Sequence, residues 1–156
     1  MKKLFTAVSL AIVTGFTGAS NAETWSTDVA LEDVAPLTVT KGITLLCNMT
    51  GSATLAGSNA SITSLGLSDA SGTCQMIGFF NFPYNMEGGA SDVVTIEGVD
   101  VQGITGNCLG DLVGTLNQTT GVISFVNANI PSNPAGGSPC IINGDVKTTP
   151  PASYTP

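Results

Sequence analysis

Four cysteines, Cys47, Cys74, Cys108 and Cys140, constrain the fold of this chain more than any other feature. An even number of cysteines in an exported protein is typical of a disulfide framework. Zinc is the other common partner of four cysteines, but it normally binds closely spaced pairs or histidines. Here the nearest two cysteines are 27 positions apart and the chain contains no histidine. We therefore expect two disulfides, and the count alone leaves three pairings open.

The N-terminus indicates that the chain is exported. Lys2 and Lys3 precede a short apolar run from Leu4 to Phe16, and Ser20-Asn21-Ala22 places small residues where a signal peptidase cleaves. The pattern predicts a signal peptide over residues 1–22, with no membrane span because the run is too short. The predicted destination is the extracellular space or the cell surface, and the periplasm is left open.

The charges exclude several classes of function. Removal of the signal peptide changes the formal charge from −7 to −9 and leaves Lys41 and Lys147 as the only cations. Such a chain repels nucleic acid and anionic lipid. Without histidine or arginine it has neither a conventional catalytic triad nor a bidentate anion clamp. We predict a protein that is not an enzyme and needs no cofactor.

Carboxylates are the remaining candidates for chemistry. The nearest group of them is Asp92, Glu97, Asp100 and Asp111. Paired carboxylates serve glycoside hydrolysis, and clusters of them bind calcium. The dense spacing of a calcium loop is missing, and most such residues are solvated charges on strand faces. We therefore assign no catalytic residue and no metal ligand.

An internal repeat selects one disulfide pairing. Lys41–Leu65 aligns without gaps on Gln102–Val126 at an offset of 61 positions, with seven identities that include Cys47 and Cys108. Five residues inserted in the second copy then bring Cys74 and Cys140 into register. Two copies of one supersecondary unit are the natural interpretation. The repeat predicts the bonds Cys47–Cys74 and Cys108–Cys140.

The patterning predicts an all-β fold. Ile43, Leu45, Cys47 and Met49 alternate with Thr44, Leu46, Asn48 and Thr50, which is the two-residue period of a strand. Turn residues at 57–59 and 118–121 each separate two such runs, and a bulge at Glu97-Gly98 restores the apolar face of 93–101. We predict a small disulfide-stapled β-sandwich over residues 41–148, built from two pseudo-repeated hairpin units.

Two flanking segments are expected to lie outside this core. Residues 23–40 form an extended N-terminal segment, in which Glu23–Val34 is loosely attached and Pro36–Thr40 is an edge strand. The Pro-rich tail, residues 149–156, is expected to be mobile.

The segment from Met76 to Met86 is the candidate binding region. Its even positions, among them Phe80, Phe82 and Tyr84, share one strand face, and the favoured interpretation is a core strand. The alternative is an apolar surface for a hydrocarbon, a lipid or a partner subunit. Phe79 and Pro83, on the odd face, are then the better candidates for exposure. The residues predicted for apolar contact are Phe79, Phe80, Phe82, Pro83 and Tyr84.

These motifs resemble a known family. The four-cysteine layout, Cys47-Asn48-Met49-Thr50-Gly51, Phe82-Pro83-Tyr84, Val122-Ile123-Ser124-Phe125 and the Cys140-x3-Gly144 ending are similar to the PraB family of secreted bacterial proteins labelled activators of alkane oxidation. The resemblance implies an extracellular, non-enzymatic accessory protein that acts at the cell surface or at a hydrocarbon interface. A structural subunit of an extracellular fibre or biofilm matrix, which self-associates, is the alternative.

Signal-peptide cleavage gives the first testable prediction. Intact-mass spectrometry of the exported protein should show a chain that starts at Glu23 and is lighter by two hydrogen atoms per disulfide than the reduced form. Retention of residues 1–22 in the exported material would contradict the prediction.

Overall fold

The computed structural model describes residues 24–26 and 28–155, so the predicted signal peptide lies outside the described residues. The described residues form strands and two short 3₁₀ turns, at Cys74–Met76 and Ala90–Asp92, and no α-helix. The strands are β1 (Thr24–Trp25), β2 (Val29–Asp33), β3 (Leu37–Lys41), β4 (Ile43–Ala56), β5 (Asn59–Ser68), β6 (Gly78–Phe80), β7 (Tyr84–Gly88), β8 (Val93–Gly103), β9 (Gly106–Asn117), β10 (Val122–Ile130), β11 (Ser132–Asn133), β12 (Cys140–Thr149) and β13 (Tyr154–Thr155).

Most of these strands form one closed antiparallel barrel. In three places two strands lie end to end along a shared neighbour and together form one interrupted strand of the barrel, which we call a stave. These are β2 with β3, β6 with β7, and β10 with β11. The eight staves follow one another in chain order as a meander. The last stave, β12, pairs back onto both β2 and β3. An eight-stranded barrel has an interior that side chains fill or that holds one small ligand.

The prediction of a β-sandwich is wrong, whereas the all-β class is confirmed. A sandwich needs a break that divides the strands between two sheets, but β8 pairs with β9 along Val93–Gly103 and no such break occurs among the described strands. Alternating burial is the same in both architectures, because each strand turns one face inward. The pattern of apolar residues therefore does not distinguish a sheet that closes on itself from two packed sheets.

The bulge predicted in β8 is confirmed. The register with β9 shifts between Ile96 and Val99, and Gly98 adopts a left-handed φ of 62° that favours glycine. The Gly98 amide donates to Asp111 Oδ1 at 2.9 Å. As a result Val94, Ile96, Val99 and Val101 all point into the core despite their change of parity.

The disulfide pairing and its relation to the repeat are also confirmed. Cys47 is bonded to Cys74, and Cys108 is bonded to Cys140. The first copy of the repeat runs from the end of β3 through β4 and β5, and the second runs from the end of β8 through β9 and β10. The copies lie four staves apart, so they occupy opposite halves of the barrel.

The expectation that the N-terminal segment lies outside the core is wrong. β2 and β3 fill the place between β12 and β4, pairing with both, and neither is an edge strand. Trp25, at the start of the segment, is only 5% exposed. The segment contributes one stave of the barrel wall because the meander has eight positions and residues 41–148 supply only seven.

The Pro-rich tail is packed rather than mobile over its described residues. Ala152 and Tyr154 are buried, and β13 pairs with β1. The Tyr154 ring lies 4.8 Å from the Trp25 ring, and its hydroxyl donates to Gly89 O at 2.6 Å. Together these aromatic residues cover the end of the barrel at the β4–β5 and β9–β10 turns, which we call the closed end. The opposite end, at the β3–β4 and β8–β9 turns, is called the open end.

Replacement of Tyr154 tests this packing. Tyr154→Ala removes a buried ring, and should lower the free energy of unfolding by about 3 kcal/mol, as do other large-to-small core substitutions. Urea unfolding of the mature protein would measure the change. Thr155→Ala, at the exposed neighbour, is the control and should change it by less than about 0.5 kcal/mol. Equal stability of the two variants would indicate a free tail.

Candidate functional site

The open end of the barrel carries both disulfides. Cys74 lies in a turn before β6, and Cys140 begins β12, so each bond ties an entering segment to a strand of the wall. Asp69 organises the turn before Cys74, since its carboxylate accepts hydrogen bonds from Ser71 Oγ and from the Cys74 amide. These hydrogen bonds, that from Ser71 foremost, hold the pKa of Asp69 below its ordinary value of 3.8.

The structure divides the candidate segment instead of running it as one strand. β6 ends at Phe80 and β7 begins at Tyr84, with a cis Phe82–Pro83 bond between them. The interruption resets the alternation of faces. Phe80 and Met76 are 45% and 51% exposed and Phe79 turns toward the core, so the predicted orientations of these three side chains are wrong. Pro83 is exposed, and Tyr84 and Met86 are buried, as predicted.

Tyr84 holds this interruption in place. Its hydroxyl donates to Phe80 O at 2.5 Å and also lies 3.1 Å from Asp100 O. Asn81 Nδ2 donates to Asp100 Oδ2 at 2.6 Å, and the Phe82 ring packs on the Tyr84 ring with centroids 4.5 Å apart. Burial raises the pKa of Tyr84 above its ordinary value of 10.0, with the hydrogen bonds acting in the opposite direction. Tyr84 therefore has a structural role rather than a contact role.

The barrel interior contains an apolar cavity of about 60 Å³, which we call the lumen. Apolar side chains from all around the wall line it, including the buried Ile62, Leu112 and Ile123 and the partly buried Leu65, Ile77 and Phe79. No polar group faces it. A cavity of this chemistry stays dry, because water there would find no hydrogen-bond partners.

One part of the wall beside the lumen has no backbone ladder. β5 pairs with β7 only at Ser61 and Ile62, and beyond that point the described chain pairs β5 with β4 alone. β6 likewise pairs only with β8. Between β5 and β6 the wall is closed by the partly buried side chains of Leu65, Ile77 and Phe79. We call this gap the seam.

Exposed apolar side chains lie just outside the seam. Met76, Phe80 and Ile104 are 51%, 45% and 62% exposed and surround one shallow depression, which we call the outer patch. The side-chain amides of Gln75, Gln102 and Asn107 also line it. A second small depression, the mouth, lies at the open end and is lined by Ile43, Leu45, Ile77 and Ile104. Burial of such residues against a hydrophobic partner is favourable, and clusters of them mark contact sites.

Sequence reasoning missed Ile104. The repeat contained the signal, since Gly103-Ile104-Thr105 matches Gly42-Ile43-Thr44. Both isoleucines follow a turn glycine, and both are exposed at the open end, Ile43 at 43%. A large apolar residue at a turn in both copies is a surface feature and not part of either strand's inward face.

The four carboxylates considered from the sequence are not assembled into a site. Asp92 accepts a hydrogen bond from Gln118, Glu97 from Asn85, Asp100 from Asn81 and Asp111 from Gly98. Over residues 24–26 and 28–155, no three side chains of metal-binding type lie together. The apolar open end is therefore the arrangement to which a function can be attached.

Comparison with known proteins agrees with the resemblance noted in the motifs. A family model described as alkane oxidation protein activator PraA/PraB-like matches residues 1–156. The chain belongs to this PraA/PraB-like family. No curated protein and no solved structure matches the chain.

The disulfides of this PraA/PraB-like protein bear on its location. Two disulfides indicate an oxidising compartment outside the cytoplasm. The part of the chain that the structure describes contains no helix with the length and apolar character needed to cross a bilayer.

Tyr84→Phe tests the role of Tyr84 at the open end. The loss of its hydrogen bonds should lower the free energy of unfolding by about 1–2 kcal/mol at pH 8. The pKa of Tyr84 is higher in the folded protein than in the unfolded chain, so folding favours the protonated hydroxyl. The stabilisation by this hydroxyl is therefore complete below pH 10 and is lost as the pH rises through the folded pKa. Urea unfolding at pH 8 and pH 11 should show a smaller alkaline loss for Tyr84→Phe. An identical loss in both proteins would contradict the assignment.

Proposed function

We propose that this PraA/PraB-like protein is an exported, non-enzymatic accessory protein of alkane oxidation, and that it contacts hydrocarbon through the outer patch. The observation that carries the proposal is the exposure of Met76, Phe80 and Ile104 around one depression. Family membership supplies the connection to alkanes. The predicted signal peptide and the disulfides support export.

The energy available at the outer patch suits a reversible contact. Burial of a fully exposed Met, Phe or Ile side chain is worth about 1.5–3 kcal/mol. At roughly half exposure each of these three residues gains about 1 kcal/mol at a hydrocarbon surface, or about 3 kcal/mol together. That energy shifts partition by about 100-fold. The negative formal charge meanwhile keeps the protein dispersed in water.

A non-enzymatic role agrees with the chemistry of the open end. Apolar side chains dominate the lumen and the mouth, and Lys41 is the one charged residue that lines the mouth. The outer patch combines apolar side chains with the uncharged amides of Gln75, Gln102 and Asn107. Lys41 Nζ donates to Ser138 O at 2.7 Å and lies 3.3 Å from the Cys108 sulfur. These contacts let Lys41 connect the loop before β12 to β3, so its role is structural.

Self-association as a matrix subunit is the alternative function. The N-terminal segment does not support strand addition to a neighbour, because β2 and β3 already pair on both sides within the barrel. Val113 and Val126 favour a different contact between copies, since they are 49% and 78% exposed along a second depression on the β9–β10 wall. The two hypotheses therefore place the active surface on different walls.

Substitution of the outer patch tests the proposal. Met76→Ser with Phe80→Ser should reduce partition of the mature protein to a hexadecane–water interface by roughly 30-fold, through the loss of about 2 kcal/mol. Val113→Ser with Val126→Ser is the matched control on the other wall and should leave partition unchanged. Circular dichroism would verify that both variants are folded.

The opposite result identifies the alternative. Equal partition of the wild type and the Met76/Phe80 variant would refute hydrocarbon contact at the outer patch. If the Val113/Val126 variant instead loses assembly in size-exclusion chromatography or electron microscopy, the β9–β10 wall joins copies of the chain and a matrix role is indicated.

A further inference from the structure

We propose that the lumen binds one end of a linear, uncharged alkyl chain, which enters through the seam between β5 and β6. The proposal deepens the proposed function by naming the ligand class, and it rests on that function only for the connection to alkanes. The site is distinct from the outer patch, because it lies inside the barrel and takes up single molecules instead of covering an oil surface.

The size and lining of the lumen select the ligand. Its volume of about 60 Å³ is several times the roughly 10–15 Å³ that one water molecule needs. It is smaller than a cavity of about 150 Å³ that binds benzene. A few methylene groups fit this space, whereas a ring or a folded chain does not. With no polar group on its lining, the lumen gains dispersion contacts from an alkyl segment and nothing from water.

Apolar side chains connect the lumen to the surface without interruption. Ile77 and Val101 line both the lumen and the mouth. Ile104 then lines both the mouth and the outer patch. Ile77 is also one of the side chains that close the seam, so an alkyl chain that leaves the lumen beside Ile77 reaches the depression in which Phe80 and Met76 are exposed. The rest of a long alkane stays against the outer patch or in the oil.

The seam is a part of the wall that can open without the loss of a backbone ladder. Leu65, Ile77 and Phe79 close it as side chains, so a change of rotamer opens a path without breaking a backbone hydrogen bond between β5 and β6. The Cys47–Cys74 bond anchors the turn that leads into β6. This anchor ties the β6 side of the seam to β4, and β4 in turn pairs with β5.

The same lining rejects a charged end group. A carboxylate in the lumen would lose its hydration and meet no donor, which is costly. The cation at the mouth, Lys41, is already directed at Ser138 O at 2.7 Å. The formal charge of the chain is also negative and repels anions at a distance. We therefore expect n-alkanes to bind and fatty-acid anions of equal length to bind at least tenfold more weakly.

Methyl NMR of the full mature protein tests the proposal directly. Titration with n-octane should shift the methyl signals of Ile62, Leu112 and Ile123 saturably, while sodium octanoate at the same concentrations should not. The measurement is repeated in the Met76→Ser/Phe80→Ser background, where the internal shifts should persist because the lumen is unchanged. That background separates this proposal from contact at the outer patch.

A lumen-filling variant provides a second test. Leu112→Phe places a larger side chain in the lumen and should weaken the n-octane shifts at least tenfold, at a stability cost of about 1–3 kcal/mol. Val113→Phe is the matched control, because the adjacent residue points outward, and it should bind octane like the wild type. If Leu112→Phe does not fold, the octane titration of the wild-type protein still decides whether the lumen binds an alkyl chain.

Three results would overturn the proposal. Shifts confined to Met76 and Ile104 would leave surface contact intact and refute binding in the lumen. Octanoate shifts as large as those of octane would refute the selection for an uncharged chain. The absence of any shift with octane would refute the lumen site whatever the outcome of the partition experiment.

Discussion

The fold depends on the pairing of the first stave with the last. β12 pairs with β2 from Val146 to Thr149 and with β3 from Ile141 to Asn143, and this contact turns an open meander into a closed barrel. Closure leaves β12 and β2 without exposed edges, which in an open sheet invite aggregation. It also creates a single interior, toward which the strands of the wall turn their apolar side chains. Without this contact the chain would have neither a lumen nor a common place for β1 and β13 to pack.

The two ends of the barrel are held by different physical means. At the closed end, Trp25 and Tyr154 bury their rings together and bring the first and last strands of the described chain into contact. At the open end, the disulfides tie Cys74 and Cys140 to the strands beside them, and each contributes roughly 3–4 kcal/mol by restricting the unfolded chain. A covalent tie needs no packed side chains above it. The open end can therefore keep its apolar residues exposed, whereas the closed end uses its aromatic residues as a cover.

The departure from regularity around β6 produces the candidate site. The chain interrupts one stave at Asn81–Pro83, and the hydrogen bonds of Tyr84 and Asn81 to Asp100 and Phe80 stabilise that interruption. As a consequence β6 is short, Phe80 faces outward and the wall beside Leu65 lacks a ladder. A continuous strand from Gly78 to Gly88 would have closed the seam and turned Phe80 inward. The repeat adds to the apolar surface of the open end, because its two Gly-Ile-Thr segments expose Ile43 and Ile104 there.

The sequence by itself determined the local features of this protein: the inward faces of most strands, the two hairpins, the bulge at Gly98 and, through the repeat, the pairs Cys47–Cys74 and Cys108–Cys140. Each of these depends on neighbours in sequence or on a comparison of one part of the chain with another. The tertiary structure alone decided that the sheet closes, that β2 and β3 supply a stave, that the tail packs at Tyr154, and that Phe79 and Phe80 exchange their expected faces. The physical reason is that alternation reports which side of a strand is buried but not what lies opposite it. Closure and the resetting of alternation at Pro83 arise from contacts between residues far apart in the chain.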